Sequence, residues 1–103
     1  MAMSAYVIVQ VNITDHKKYD AYKQMTPATI AQYGGRFIVR GGAREDLEGR
    51  WDVPRLVVIE FDSTETAKKW YGSREYQAAK AVREGGADMV FTVVEGVDAA
   101  PPG

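Results

Sequence analysis

The sequence predicts one α+β domain whose elements follow in the order β-α-β-β-α-β. Four short stretches rich in β-branched residues read as strands: Tyr6–Asn12, Arg36–Arg40, Arg55–Phe61 and Met89–Glu95. Longer stretches of helical character lie between the first and second strands and between the third and fourth. Paired small residues, Gly34-Gly35, Gly41-Gly42, Gly72-Ser73 and Gly85-Gly86, punctuate the chain where such elements must end. At 103 residues the chain has the length of one domain, predicted over residues 1–97. The Pro- and Gly-containing end, residues 98–103, is expected to be a flexible tail.

Each element has a local reason. Tyr6–Asn12 is short and dominated by valine and isoleucine. Thr14 or Asp15 can cap the helix that follows. That helix carries Tyr19, Tyr22, Ile30 and Tyr33 near one face, and Pro27 inside it predicts a kink or a break. Gly34-Gly35 ends it, since glycine takes the left-handed cap conformation without strain. A polar loop from Gly41 to Pro54 joins the second and third strands. Asp62, with Glu65 three positions on, resembles a capping box for a helix carrying Ala67, Trp70 and Tyr71. Gly72-Ser73 interrupts that helix, and Ser73 can cap a continuation to about Arg83. Right-handed crossovers turn this order into a ferredoxin-like fold: a four-stranded antiparallel sheet with the helices on one face.

Strand alternation sorts the side chains. One face collects Val7, Val9, Val11, Phe37, Val39, Val57, Ile59 and Phe61 and should lie under the helices. The other collects Tyr6, Ile8, Gln10, Arg36, Ile38, Arg40, Leu56, Val58 and Glu60. A solvated face would carry fewer large apolar groups. A second copy packed sheet to sheet would cover it, so a homodimer is expected. Across a simple hairpin, Arg36 falls opposite Glu60 and Arg40 opposite Leu56. Two readings of these charges stay open. They form a cross-strand ion pair, or Glu60, Arg40 and Gln10 sit in a half-buried cavity where a carboxylate can serve as a base.

Composition narrows the function classes. Lys and Arg total 13 against 14 Asp and Glu, a net charge of −1, so no basic footprint for nucleic acid or an anionic membrane exists. The absence of cysteine excludes disulfides, thiolate nucleophiles and Cys-type metal sites. With a single histidine, no metal site and no cofactor are expected. The longest apolar run, Ala5 to Val9, is far short of the roughly 20 residues that span a bilayer. No basic leader precedes Asp15, and a cytoplasmic protein is expected. No phosphate loop, dinucleotide fingerprint, zinc-protease or serine-hydrolase motif occurs.

The remaining candidates are aromatic or charged. Trp70, Tyr71 and Tyr76 surround the break at Gly72-Ser73, with Tyr19 and Tyr22 on the other helix. Rings with a polar tip beside a broken helix either line a ligand pocket or rim the core. Arg83 complements a helix dipole at the least. His16, at a helix start, is a surface residue or a base.

Tyr33-Gly-Gly-Arg36, Val39-Arg-Gly-Gly42 and Leu47-Glu-Gly49 resemble the small bacterial domain of unknown function family 1330. So do Val58-Ile-Glu-Phe61, the string Trp70-Tyr71, Ser73, Tyr76-Gln77, Arg83, and the closing Val94-Glu-Gly96. The resemblance runs over roughly residues 4 to 97. It implies the dimeric α/β-barrel superfamily, in which two ferredoxin-like sheets face each other and whose members include cofactor-free monooxygenases and isomerases. The family brings no established reaction with it. Two functions are therefore carried forward. One is a homodimeric barrel binding a small organic ligand through Arg40, Gln10, Trp70, Tyr71, Tyr76 and Arg83. The other is a cofactor-independent enzyme in which Glu60 or His16 shuttles a proton and Arg40 or Arg83 holds an anionic oxygen.

Overall fold

The computed structural model describes residues 4–97. The tail expected at 98–103 lies outside them. The elements are β1 (Ala5–Ile13), α1 (His16–Gln32), β2 (Arg36–Arg40), β3 (Arg55–Phe61), α2 (Thr64–Tyr71), α3 (Arg74–Val82) and β4 (Ala87–Glu95). The strands form one antiparallel sheet in the order β2-β3-β1-β4, the ferredoxin-like arrangement. No helix among the described residues is long and apolar enough to cross a membrane.

The core lies between the helices and one sheet face. Val7, Val9 and Val11 from β1 meet Val57, Ile59 and Phe61 from β3, and all are buried. Tyr19, Tyr22 and Ile30 from α1, Ala67 and Trp70 from α2, and Tyr76 and Ala79 from α3 close over them. The period-two alternation of the strands thus places their apolar residues as the sequence indicates.

The helix ends follow their side chains. Asp15 caps α1, accepting from the Lys17 and Lys18 amides. At the other end Gly34 takes φ +72°, the Gly34 amide donates to the Ala31 carbonyl and the Gly35 amide to that of Ile30. This satisfies two carbonyls the helix leaves open. Gly35 is needed for closeness as well, because a Cβ there would stand 2.5 Å from Phe61 and 2.9 Å from Ile30. α2 starts one residue later than the Asp62 capping box implies. Ser63, in extended conformation, accepts from the Thr66 amide, while Asp62 is exposed.

Two departures from the sequence reading share one cause. Pro27 does not break α1, which runs through it for 17 residues. Proline has no N–H, so the Lys23 carbonyl loses its helical partner. The Arg40 guanidinium donates from Nη2 to that carbonyl at 3.0 Å, and the Thr26 hydroxyl donates to it at a longer 3.4 Å. Arg40 reaches it because β2 contains a bulge. Phe37 pairs with Ile59, but Val39 pairs with Val58 and Arg40 with Val57, leaving Ile38 extra. A one-residue slip exchanges the two faces of a strand. Beyond the bulge Arg40 therefore turns to the helix side, lying 4.3 Å from the Phe37 ring centroid, and Val39 joins the opposite face. The expected pairing of Arg40 with Leu56, and its place beside Glu60 and Gln10, are corrected on this ground.

The link between Pro27 and Arg40 can be measured. Arg40→Ala should destabilise the protein by about 1 kcal/mol in urea unfolding, the usual worth of such a bond. In a Pro27→Ala background, where residue 27 regains its N–H, the same change should cost close to nothing. Equal costs in both backgrounds would disprove the link.

Candidate functional site

The break between α2 and α3 is built by one hydroxyl. Ser73 Oγ donates to the Trp70 carbonyl at 2.6 Å, closing α2, and accepts from the Tyr76 amide at 3.1 Å, opening α3. The two helices then hold Trp70 and Tyr76 against each other with ring centroids 4.4 Å apart, and Tyr71 lies 5.1 Å from Tyr76. Phe91 of β4 completes the cluster, 5.4 Å from Tyr71 and 6.0 Å from Tyr76. Trp70 is fully buried, and its indole N–H donates to Thr29 Oγ1 at 3.1 Å, so its polar tip is satisfied.

A pocket of about 550 Å³ opens beside this cluster, between α2, α3 and β4. Its size is in the usual range for small-molecule sites. Val7, Met89 and Val93 of the sheet line it, with Trp70, Tyr71 and Phe91 as aromatic wall and Lys68, Lys80 and Arg83 as its cations. Lys80 Nζ donates to the Tyr71 hydroxyl at 3.1 Å. On the other side of Trp70, a narrow crevice of about 20 Å³ runs beneath α1 and includes Arg40 and Tyr22. That space suits about one water molecule.

A chain of polar groups lies under the pocket. Arg83 is 8% exposed, and its Nη2 donates to the Tyr76 hydroxyl at 3.4 Å. Tyr76 in turn shares a 3.0 Å hydrogen bond with the Tyr22 hydroxyl. The Arg83 guanidinium lies 5.4 Å from the centroids of both Tyr22 and Phe91. Burial pushes both phenols above their ordinary range, and Arg83 beside Tyr76 only partly opposes this. Both hydroxyls thus stay protonated.

The residues singled out from the sequence fall into separate places. Trp70, Tyr71 and Arg83 line the pocket and Tyr76 lies against it. Gln10 and Glu60 are on the opposite sheet face, Gln10 between Leu56 and Val90, Glu60 between Tyr6 and Arg36. Arg36 Nε donates to Glu60 at 2.7 Å, and this bond holds the carboxyl below its ordinary range. A carboxylate so held is a poor proton acceptor. His16 is exposed on the first turn of α1. Arg40 serves the α1 carbonyl at the crevice.

Lys80 and Phe91 were not singled out from the sequence. The spacing of Tyr76, Lys80 and Arg83, four and then three residues apart, already placed them on one helix face. Phe91 carries no such signal, since its neighbours across the sheet come from distant sequence. Among the described residues no group of three side chains is placed to hold a metal ion.

A model of the family described as "Domain of unknown function (DUF1330)" matches residues 4–97. No protein of curated function matches the sequence. Among solved structures, the fold is similar to that of the RPA0582 protein of unknown function from Rhodopseudomonas palustris, with TM-score 0.73 and 15% identity over 95% of this chain and 85% of that one. It is similar to SnoaB, a cofactor-independent oxygenase from Streptomyces nogalater, with TM-score 0.60 and 10% identity over 98% and 100% of the two chains. A dimeric protein of unknown function and ferredoxin-like fold from Bacteroides fragilis gives TM-score 0.58 and 17% identity over 89% and 95%. At these identities the likeness is one of fold.

The depressed Glu60 carboxyl sets a pH dependence. Its folded-state pKa lies below its ordinary value of 4.5, so its stabilising contribution is present above that value and disappears as pH falls through the folded pKa. The melting temperature of Glu60→Gln should fall slightly below the wild type at neutral pH, and the gap should close under acid conditions. A gap that widens as pH falls would contradict the assignment.

Proposed function

The chain belongs to the DUF1330 family, and on that premise we propose that it is a homodimeric barrel that binds a small organic ligand in the pocket between α2, α3 and β4. The pocket carries the reading. It combines ligand-sized volume, an aromatic wall and cationic groups at a helix break. Glu60 and Gln10 belong to the dimer face in this reading rather than to the ligand site.

The dimer rests on the opposite sheet face. Ile38, Val90 and Val94 on that side are 43%, 56% and 48% exposed in the single chain. Ile8, Leu56 and Val58 lie between them in the sheet register. A second copy packed on this face would remove the patch from water and give two pockets facing outward. The B. fragilis protein of similar fold is described as dimeric, which supports a dimer here.

The alternative, cofactor-independent enzyme chemistry, draws on the fold shared with SnoaB. In that reading the acid–base work assigned to Glu60 or His16 would have to be done away from the pocket. The aromatic pocket therefore favours ligand binding as the primary reading.

Native mass spectrometry of the untagged protein tests both halves together. A dimer, with added mass from a retained ligand, is expected. Val90→Lys should convert the dimer to monomer, since a charge there would be desolvated in the interface. It should leave the monomer's stability within about 0.5 kcal/mol, as for other exposed positions. A wild-type monomer, or a Val90→Lys dimer, would overturn the sheet-to-sheet assembly.

A further inference from the structure

We propose that the pocket selects organic acids, with Arg83 as the group that receives the anionic oxygen; this rests on the pocket being the ligand site. The reason is an uncompensated buried cation. A guanidinium is charged at any physiological pH and has five N–H donors and no acceptor. Arg83 is more than nine-tenths buried, yet among the described residues its hydrogen-bond partner is one tyrosine hydroxyl, at a long 3.4 Å. Its Nε is buried with no partner. The ion pairs among the described residues are Arg36–Glu60 and Arg50–Asp52, so no carboxylate answers it. Burying a charge without a counterion is costly, and proteins normally pair it. Here two aromatic faces flank the guanidinium instead, Tyr22 and Phe91. They give cation–π support but leave the donors free.

Arg83 is among the residues that line the pocket, which places this deficit beside the space an incoming anion would enter. Lys80, on the same helix face, and Lys68 of α2 add two further positive charges to the lining. The apolar and aromatic remainder of the lining defines the rest of the ligand. A small inorganic ion would lose its hydration against Trp70, Tyr71 and Phe91 and gain little. A planar carboxylic acid buries its ring there and matches its two oxygens to the guanidinium fork. The ligand class is therefore an aromatic carboxylate.

Isothermal titration calorimetry with 2-naphthoate and its neutral counterpart 2-naphthamide decides the matter. The acid should bind the wild type about tenfold more tightly or better, as expected for a charge-assisted bond. Arg83→Gln should reduce the two affinities to near equality while still binding the amide. Equal affinities in the wild type would overturn the acid preference and leave the pocket reading standing. A preference that survives in Arg83→Gln would overturn the role of Arg83. Binding of neither compound would overturn the pocket reading itself. Should Arg83→Gln fail to fold, Arg83→Lys keeps the charge and loses the fork. A reduced acid preference there supports the proposal, and an unchanged one overturns it.

Discussion

Trp70 is the side chain on which the layers of this protein converge. It is fully buried, stacks at 4.4 Å on Tyr76 and at 5.3 Å on Phe61, and meets Phe91 at 6.5 Å. One residue thus joins α2, α3, β3 and β4. Its indole N–H donates to Thr29, whose hydroxyl donates to the Thr26 carbonyl at 2.8 Å, which adds α1. An unmet indole donor at such depth would cost more than its bond is worth, so the helix layer is fixed in register by this contact. The Ser73 hydroxyl then determines where α2 ends relative to the ring. The pocket wall follows from these two constraints.

The same layer contains a tension that packing alone does not resolve. Tyr22, Tyr76 and Arg83 form a buried polar chain whose last member keeps an unmet donor at Nε. A fold selected for stability alone would fill that position with an apolar residue of similar volume. Strained or unsatisfied groups gather where a molecule meets its ligand, and the pocket lies at that end of the chain. The opposite sheet face is mixed: Arg36 pairs with Glu60, Asn12, Asp88 and Thr92 are exposed polar groups, and Ile38, Val90 and Val94 are exposed apolar ones. The two faces therefore differ in character: one side holds a pocket, the other an exposed apolar patch.

Most of the fold was legible because its signals are local. Strands β1 and β4 show period-two burial, the Gly34-Gly35 stop gives the helix cap, and Ser73 caps a second helical piece as its position implied. The bulge in β2 was not legible. Nothing in Arg36–Arg40 distinguishes a regular strand from one with an extra residue, and the bulge brings Arg40 to a carbonyl on α1 that has lost its helical N–H partner at Pro27. Arg40 was therefore placed on the wrong side of the sheet, together with Val39. The candidate site was legible in part. Trp70, Tyr71, Tyr76 and Arg83 stood out as polar-tipped rings and a cation beside a helix break, whereas Phe91 joins them across the layers.

The sequence by itself determined the element order, the antiparallel sheet, the helix-covered face and the aromatic nature of the helix break. These depend on periodicity and capping, which act over a few residues. Only the tertiary structure decided which charges meet. It paired Glu60 with Arg36, gave Arg40 to a helix carbonyl and left Arg83 buried beside a pocket without a counterion. Charge pairing depends on distances between elements far apart in the chain, and those distances are set by packing the layers together.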